Sequence, residues 1–201
     1  ALATAYFLQG GTPFIYQGQE IGMLGGDFTT AADFRDVESV SYMERLGIEK
    51  VPEGLAAMSR DNGRTPMQWD SSPAAGFSEA VPWIGVPASA EHINVAAQAD
   101  DPHSILTYYR ALISARHVIP ALTDGTFSRI DASAPALFVY RRSAPGSDVL
   151  VMVNLSGQRH APLFSPEDEA VASLPWGLYL GNTDTSFVET DDAGDRIQSE
   201  P

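Results

Sequence analysis

The chain has 201 residues, enough for one or two domains that each hold a core. With 26 acidic against 12 basic residues its formal net charge is −14, which argues against nucleic acid and anionic membranes as partners. Cys is absent, so disulfides and thiolate metal sites are excluded, and a reducing, cytoplasmic compartment is the expectation.

No apolar run reaches membrane-spanning length, and no secretory pattern opens the chain. It begins Ala1-Leu2-Ala3-Thr4-Ala5, mid-pattern and without Met, which suggests a piece of a longer polypeptide.

Residues 1 to about 9 carry Leu2, Ala5, Tyr6, Phe7 and Leu8 and predict the tail of a buried helix, stopped by Gly10-Gly11. The apolar run Thr12 to Gln17 lies between Gly11 and Gly18. It predicts a buried strand of parallel type, with Pro13 tolerated at its start. Helix, turn, buried strand and long polar loop is the grammar of an α/β protein. In a (β/α) barrel, Gln17, Gln19 and Glu20 would sit at the mouth, where active sites are built. Glu20 has a second reading, as a carboxylate that holds its loop by accepting backbone N–H groups.

Residues 24 to 30 read as loop, and Phe34, Val37, Val40, Ser41 and Glu44 predict a helix from about Ala31 to Arg45. Glu38, Asp36 and Arg35 fall on its polar side, by default a solvated face. Residues 47 to 100 have no sustained period. Such a stretch is either disordered or functional, and Trp69, Phe77 and Trp83 argue against disorder.

Within it, Ser59 to Asp70 (SRDNGRTPMQWD) gathers two Arg, two Asp, an Asn, a Gln and a Trp. Guanidiniums clamp oxygen acceptors and an indole offers a flat apolar face, a set that suits a sugar. A structural loop tied by its own ion pairs is the alternative.

Asp101 and Pro102 open an amphipathic helix with Ile105, Leu106, Tyr109, Leu112, Ile113 and Arg116 at helical spacing, ended by Pro120. Tyr108 and Tyr109 read as packing residues. After about residue 123 the period changes. Strands are expected at Gly125–Ile130, Ala136–Arg142, Val149–Leu155 and Gly177–Leu180, separated by turns such as Ala144 to Asp148. The acidic stretches 167–169 and 191–195 read as solvated faces. The tail from Asn182 is polar and lacks a final apolar strand, which again suggests truncation.

Two long motifs carry a resemblance. Gly11 to Met23 (GTPFIYQGQEIGM) resembles the eighth barrel strand of the α-amylase superfamily, glycoside hydrolase family 13. Ser59 to Asp70 is similar to the motif of its oligo-1,6-glucosidases and related α-glucosidases. The spacing between them, the segment Ala75 to Trp83, and the helix near Asp101 continue the match over nearly the whole chain.

The resemblance implies the C-terminal part of a (β/α)8 TIM barrel over residues 1–122, followed by a β-sandwich domain over 123–201, truncated at its end. It implies retaining hydrolysis of α-glucosidic bonds, with a nucleophile and an acid/base about 5–5.5 Å apart. In the family those carboxylates and a His-Asp motif precede strand eight. Here His92, His103, His117 and His160 are followed by Ile, Ser, Val and Ala, so no residue of this chain is assigned as catalytic.

By resemblance, Arg60 closes on the non-reducing glucose, paired with an upstream carboxylate, and Glu38 touches the neighbouring sugar. An ion-pair role for Arg60 stays open beside that one. Asp61, Arg64 and Trp69 read as loop architecture.

The expected partners are an oligosaccharide and the remainder of the barrel upstream, with no cofactor and no metal. Two alternatives stand beside an α-glucosidase. One is a carbohydrate-binding or structural module without catalysis, for which a part-barrel with open strand edges is a poor candidate. The other is a family-13 sucrose isomerase or trehalose synthase.

Overall fold

The computed structural model describes residues 1–132, 134–160, 164, 165 and 168, together with the backbone of 188–190 and 196–198. The helices are α1 (Leu2–Phe7), α2 (Val37–Leu46), α3 (Glu53–Met58), α4 (Val95–Gln98), α5 (Ile105–Val118) and α6 (Pro120–Thr123). The strands are β1 (Thr126–Ile130), β2 (Leu137–Ala144), β3 (Ser147–Asn154), β4 (Val188–Thr190) and β5 (Arg196–Gln198). Two compact units divide the chain, one of Ala1–Phe14 with Tyr108–Pro201 and the other of Ile15–Thr107.

In the first unit, β1, β2 and β3 form an antiparallel meander in the order β1-β2-β3. Period-2 alternation gives it two apolar faces. Tyr140, Val151 and Val153 pack on Ala5, Phe7 and Leu8 of the α1 region and on Leu112 and Ala115 of α5. Ile130, Val139 and Ala132 form a separate cluster with Leu137, Leu150 and Phe164. The β2–β3 hairpin turns through Pro145-Gly146, with Gly146 at φ +73°, where a left-handed residue is required after Pro.

Polar groups fasten α1 to its neighbours. Tyr140 Oη donates to the carbonyls of Thr4 and Ala5, each at 3.2 Å. The Arg142 side chain is buried and gives Nη1 to Leu8 O at 3.0 Å and Nη2 to Gly125 O at 2.8 Å. Arg116 donates to the carbonyls of Phe7, Gln9 and Gly11. Cations at a helix C-terminus meet both its orphan carbonyls and its dipole. The expected tyrosines are packing residues: Thr4 Oγ1 and Tyr6 Oη hydrogen-bond the hydroxyls of Tyr108 and Tyr109.

In the second unit, Phe28, Phe34, Met43 and Ile84 form a core under α2 and α3, with Phe28 and Phe34 stacked at 4.7 Å. Ile21, Met67 and Leu106 make a second cluster.

Several expectations need correction. Thr12 to Gln17 forms no strand and is not buried; Phe14 is 84% exposed. A strand exists only beside another strand, and none pairs with this run among the described residues. The helix expected from Ala31 begins at Val37. A 3₁₀ turn at Ala31–Asp33 comes first, closed by a Thr30/Asp33 capping box, and Phe34 is extended. Its buried face is Ser39 and Met43, while Val37 and Ser41 are exposed.

The aperiodic stretch 47–100 is ordered into α3, α4 and 3₁₀ turns at Arg60–Arg64 and Ala88–Glu91. Helix α5 starts at Ile105, not Pro102, because Ser104 Oγ accepts the Thr107 N–H at 3.1 Å.

Of the expected sandwich, the described residues show the meander and a two-stranded ribbon, β4 with β5, in the polar tail. The strand expected at 177–180 and most of the acidic stretches lie outside the described residues. Among the described residues, no helix is long and apolar enough to cross a membrane.

Candidate functional site

The Ser59–Asp70 loop is held by its own buried groups. Ser59 caps the 3₁₀ turn Arg60–Arg64 by accepting the Asp61 N–H at 3.3 Å. Asp61 is fully buried. Its Oδ2 accepts the backbone N–H groups of Arg35 and Asp36, each at 2.7 Å, and its Oδ1 accepts Arg64 Nη1 at 3.1 Å. Asn62 Nδ2 donates to Ala56 O at 2.7 Å and to Ser59 O at 3.0 Å, and its Oδ1 accepts Gly26 N–H at 3.0 Å. Asp61 and Arg64 are therefore loop architecture, as the sequence suggested; Trp69 stands 51% exposed.

Asp36 was expected on a solvated face and is instead only 3% exposed. It is the N-cap of α2: Oδ2 accepts the Ser39 N–H at 3.2 Å and the Ser39 hydroxyl at 3.1 Å. Its Oδ1 meets Arg60 Nη2 at 2.7 Å and Arg64 Nη1 at 3.6 Å. Burial pushes the Asp36 carboxyl up, but the Ser39 hydrogen bonds and the Arg60 guanidinium outweigh it and leave it below its ordinary value.

Arg60 keeps its side chain 61% exposed while one corner is tied to Asp36. Among the described residues its nearest carboxylate is that of Asp36. Glu38, in the first turn of α2, has its Oε2 3.7 Å from Arg60 Nη2 and is 85% exposed. The two residues picked from the sequence are therefore brought together, with donors and acceptors turned to solvent. Sequence reasoning passed over Asp36, although an Asp three residues before Ser39 at the head of a periodic run is an N-cap signature.

Beside this lies a cleft of about 300 Å³ lined by Tyr16, Gln17, Gln19, Met23, Asn62 and Gly63, among others. Tyr16 Oη closes one side by donating to Gly63 O at 2.6 Å. Gly18 sits at φ +88°, and a Cβ there would collide with the Met23 side chain. That glycine lets the chain turn back, so that Met23 N–H reaches Gly18 O at 2.9 Å. Gln17 and Gln19 line this cleft. Glu20 does not line it with them; its Oε2 is buried and has no hydrogen-bond partner among the described residues.

The catalytic-domain model of the alpha-amylase family matches residues 1–125. The chain belongs to the alpha-amylase family. It is 46% identical over 141 residues to an alpha-glucosidase of Pediococcus pentosaceus, covering 67% of this chain and 25% of that protein. It is 38% identical to an oligo-1,6-glucosidase of Parageobacillus thermoglucosidasius, covering 94% of this chain and 34% of that protein.

A solved structure of the trehalulose synthase MutB from Pseudomonas mesoacidophila MX-45 superposes with a TM-score of 0.69 at 42% identity. It covers 78% of this chain and 29% of that one. This alpha-amylase family chain thus spans between a quarter and about a third of the length of the relatives it matches.

Proposed function

We propose that this chain is the C-terminal part of a retaining α-glucosidase that hydrolyses α-glucosidic bonds of short oligosaccharides. Residues 1–122 belong to its barrel, and 123–201 to a β-sandwich domain. Its catalytic carboxylates come from the preceding part of the protein, and the exposed Phe14 to Tyr16 run pairs with strands there.

The observation that carries the reading is the Arg60 guanidinium, anchored at one corner by Asp36 and open elsewhere, with Glu38 at 3.7 Å. A fork held in one orientation presents N–H donors to sugar hydroxyls without first losing rotamer freedom. Glu38 presents an acceptor beside it. The alpha-glucosidase and oligo-1,6-glucosidase relatives support the substrate class.

The test is steady-state hydrolysis of 4-nitrophenyl α-glucoside and isomaltose by the full-length protein and its Arg60→Ala variant. A fall in kcat/KM of about 100-fold is expected, near 3 kcal/mol of transition-state stabilisation. An unchanged kcat/KM overturns the role of Arg60.

A second reading draws on the likeness to a trehalulose synthase: an isomerase that returns the glucosyl group to its leaving sugar. Product analysis with sucrose decides between the two. Glucose and fructose support hydrolysis, and a rearranged disaccharide supports isomerisation.

A further inference from the structure

We propose that Asp36 is a positioning residue whose single carboxylate sets both proposed sugar contacts at once. This inference rests on the function proposed above. One oxygen, Oδ1, holds the Arg60 guanidinium at 2.7 Å. The other, Oδ2, caps α2 through Ser39 N–H and Oγ, and Glu38 lies two residues into that helix. Asp36 is itself buried, so it touches no sugar and acts through its neighbours.

Its own placement is fixed from below. The Asp61 carboxylate grips the Asp36 backbone N–H at 2.7 Å, and Ser59 Oγ meets Ser39 Oγ at 3.0 Å. The 3₁₀ turn that carries Arg60 and the helix that carries Glu38 are therefore tied through one acid. Arg60 Nη2 has one close acceptor, Asp36, since Glu38 stands a full ångström further away. Without the Asp36 charge, the guanidinium is free to swing to Glu38, which misplaces both groups.

The experiment is a double-mutant cycle in the full-length enzyme, with Asp36→Asn, Arg60→Ala and the double variant, read as kcat/KM on 4-nitrophenyl α-glucoside and by thermal melting. Asn is as good an N-cap as Asp, so Asp36→Asn keeps α2 while removing the charge that faces Arg60. A loss in kcat/KM of about tenfold or more is expected in the native background, but less than about threefold on top of Arg60→Ala.

An equal loss in both backgrounds overturns the inference, because Asp36 then does not act through Arg60. Native activity in Asp36→Asn beside a damaged Arg60→Ala overturns it too, while leaving the proposed function intact. Native activity in Arg60→Ala overturns the proposed role of Arg60 and this inference with it. If Asp36→Asn melts far below the parent, Asp36→Ser provides the same comparison, keeping a capping oxygen without the reach to Arg60.

Discussion

Asp61 accepts the backbone N–H of Asp36 at 2.7 Å, so a fully buried acid holds the main chain of a second acid that faces two arginines. Two buried carboxylates in one network repel each other unless each is supplied with donors. Here each has its own close donors, Arg35 N and Asp36 N for Asp61 and Ser39 and Arg60 for Asp36, and Arg64 lies between them, 3.1 Å from Asp61 and 3.6 Å from Asp36. The motif loop and the head of α2 therefore behave as one hydrogen-bonded piece.

Asp61→Asn removes the charge and puts an NH₂ against either a backbone N–H or the Arg64 guanidinium. Breaking a buried ionic group on one side costs about 3 kcal/mol. Urea unfolding of the protein at pH 7 should show a loss of that order. A loss under about 1 kcal/mol would mean that water replaces the lost bonds.

Acid should loosen the turn ahead of α2. The Thr30 and Thr29 N–H groups bonded to Asp33 hold its carboxyl below the usual range. A depressed folded value means that the contribution is present above the unfolded value of about 3.9 and is lost as pH falls through the folded one. Asp33→Ala should therefore be less stable than the parent at neutral pH, with the gap closing below about pH 4. A gap that stays constant down to the acid transition refutes the assignment.

Arg142→Met removes a buried guanidinium and strands the carbonyls of Leu8 and Gly125. Replacing both partners of a buried pair is often harmless, but here the carbonyls remain, and the expected loss is about 2–4 kcal/mol. Arg142→Lys should recover part of it, since an ammonium reaches one carbonyl but not both. Equal stability of parent and Met variant in urea titrations would show that these bonds contribute nothing.

Gly146→Ala tests the hairpin. At φ +73° a Cβ costs about 1 kcal/mol or more, so the melting temperature should drop. An increase, the usual result of Gly→Ala at an ordinary φ, would show that the turn has another geometry.

Much of this was legible in the residues alone. Amphipathic spacing marked α5, and the change of period after about residue 123 marked β1 to β3. The two motifs marked the family, and the resemblance they carry picked out Arg60, inside the second motif, and Glu38, between the two. These features are local or are spelled out by identity, and a sequence carries both directly.

Tertiary structure decided the rest. Nothing along the chain says that Asp36 turns inward, because its burial depends on Arg60 and Asp61, more than twenty residues away. The apolar run Thr12 to Gln17 does not form a strand, since strand pairing is a property of two segments and a sequence run describes one. Burial, charge pairing and strand pairing all depend on what the fold sets opposite a residue, and that is decided only when distant segments meet.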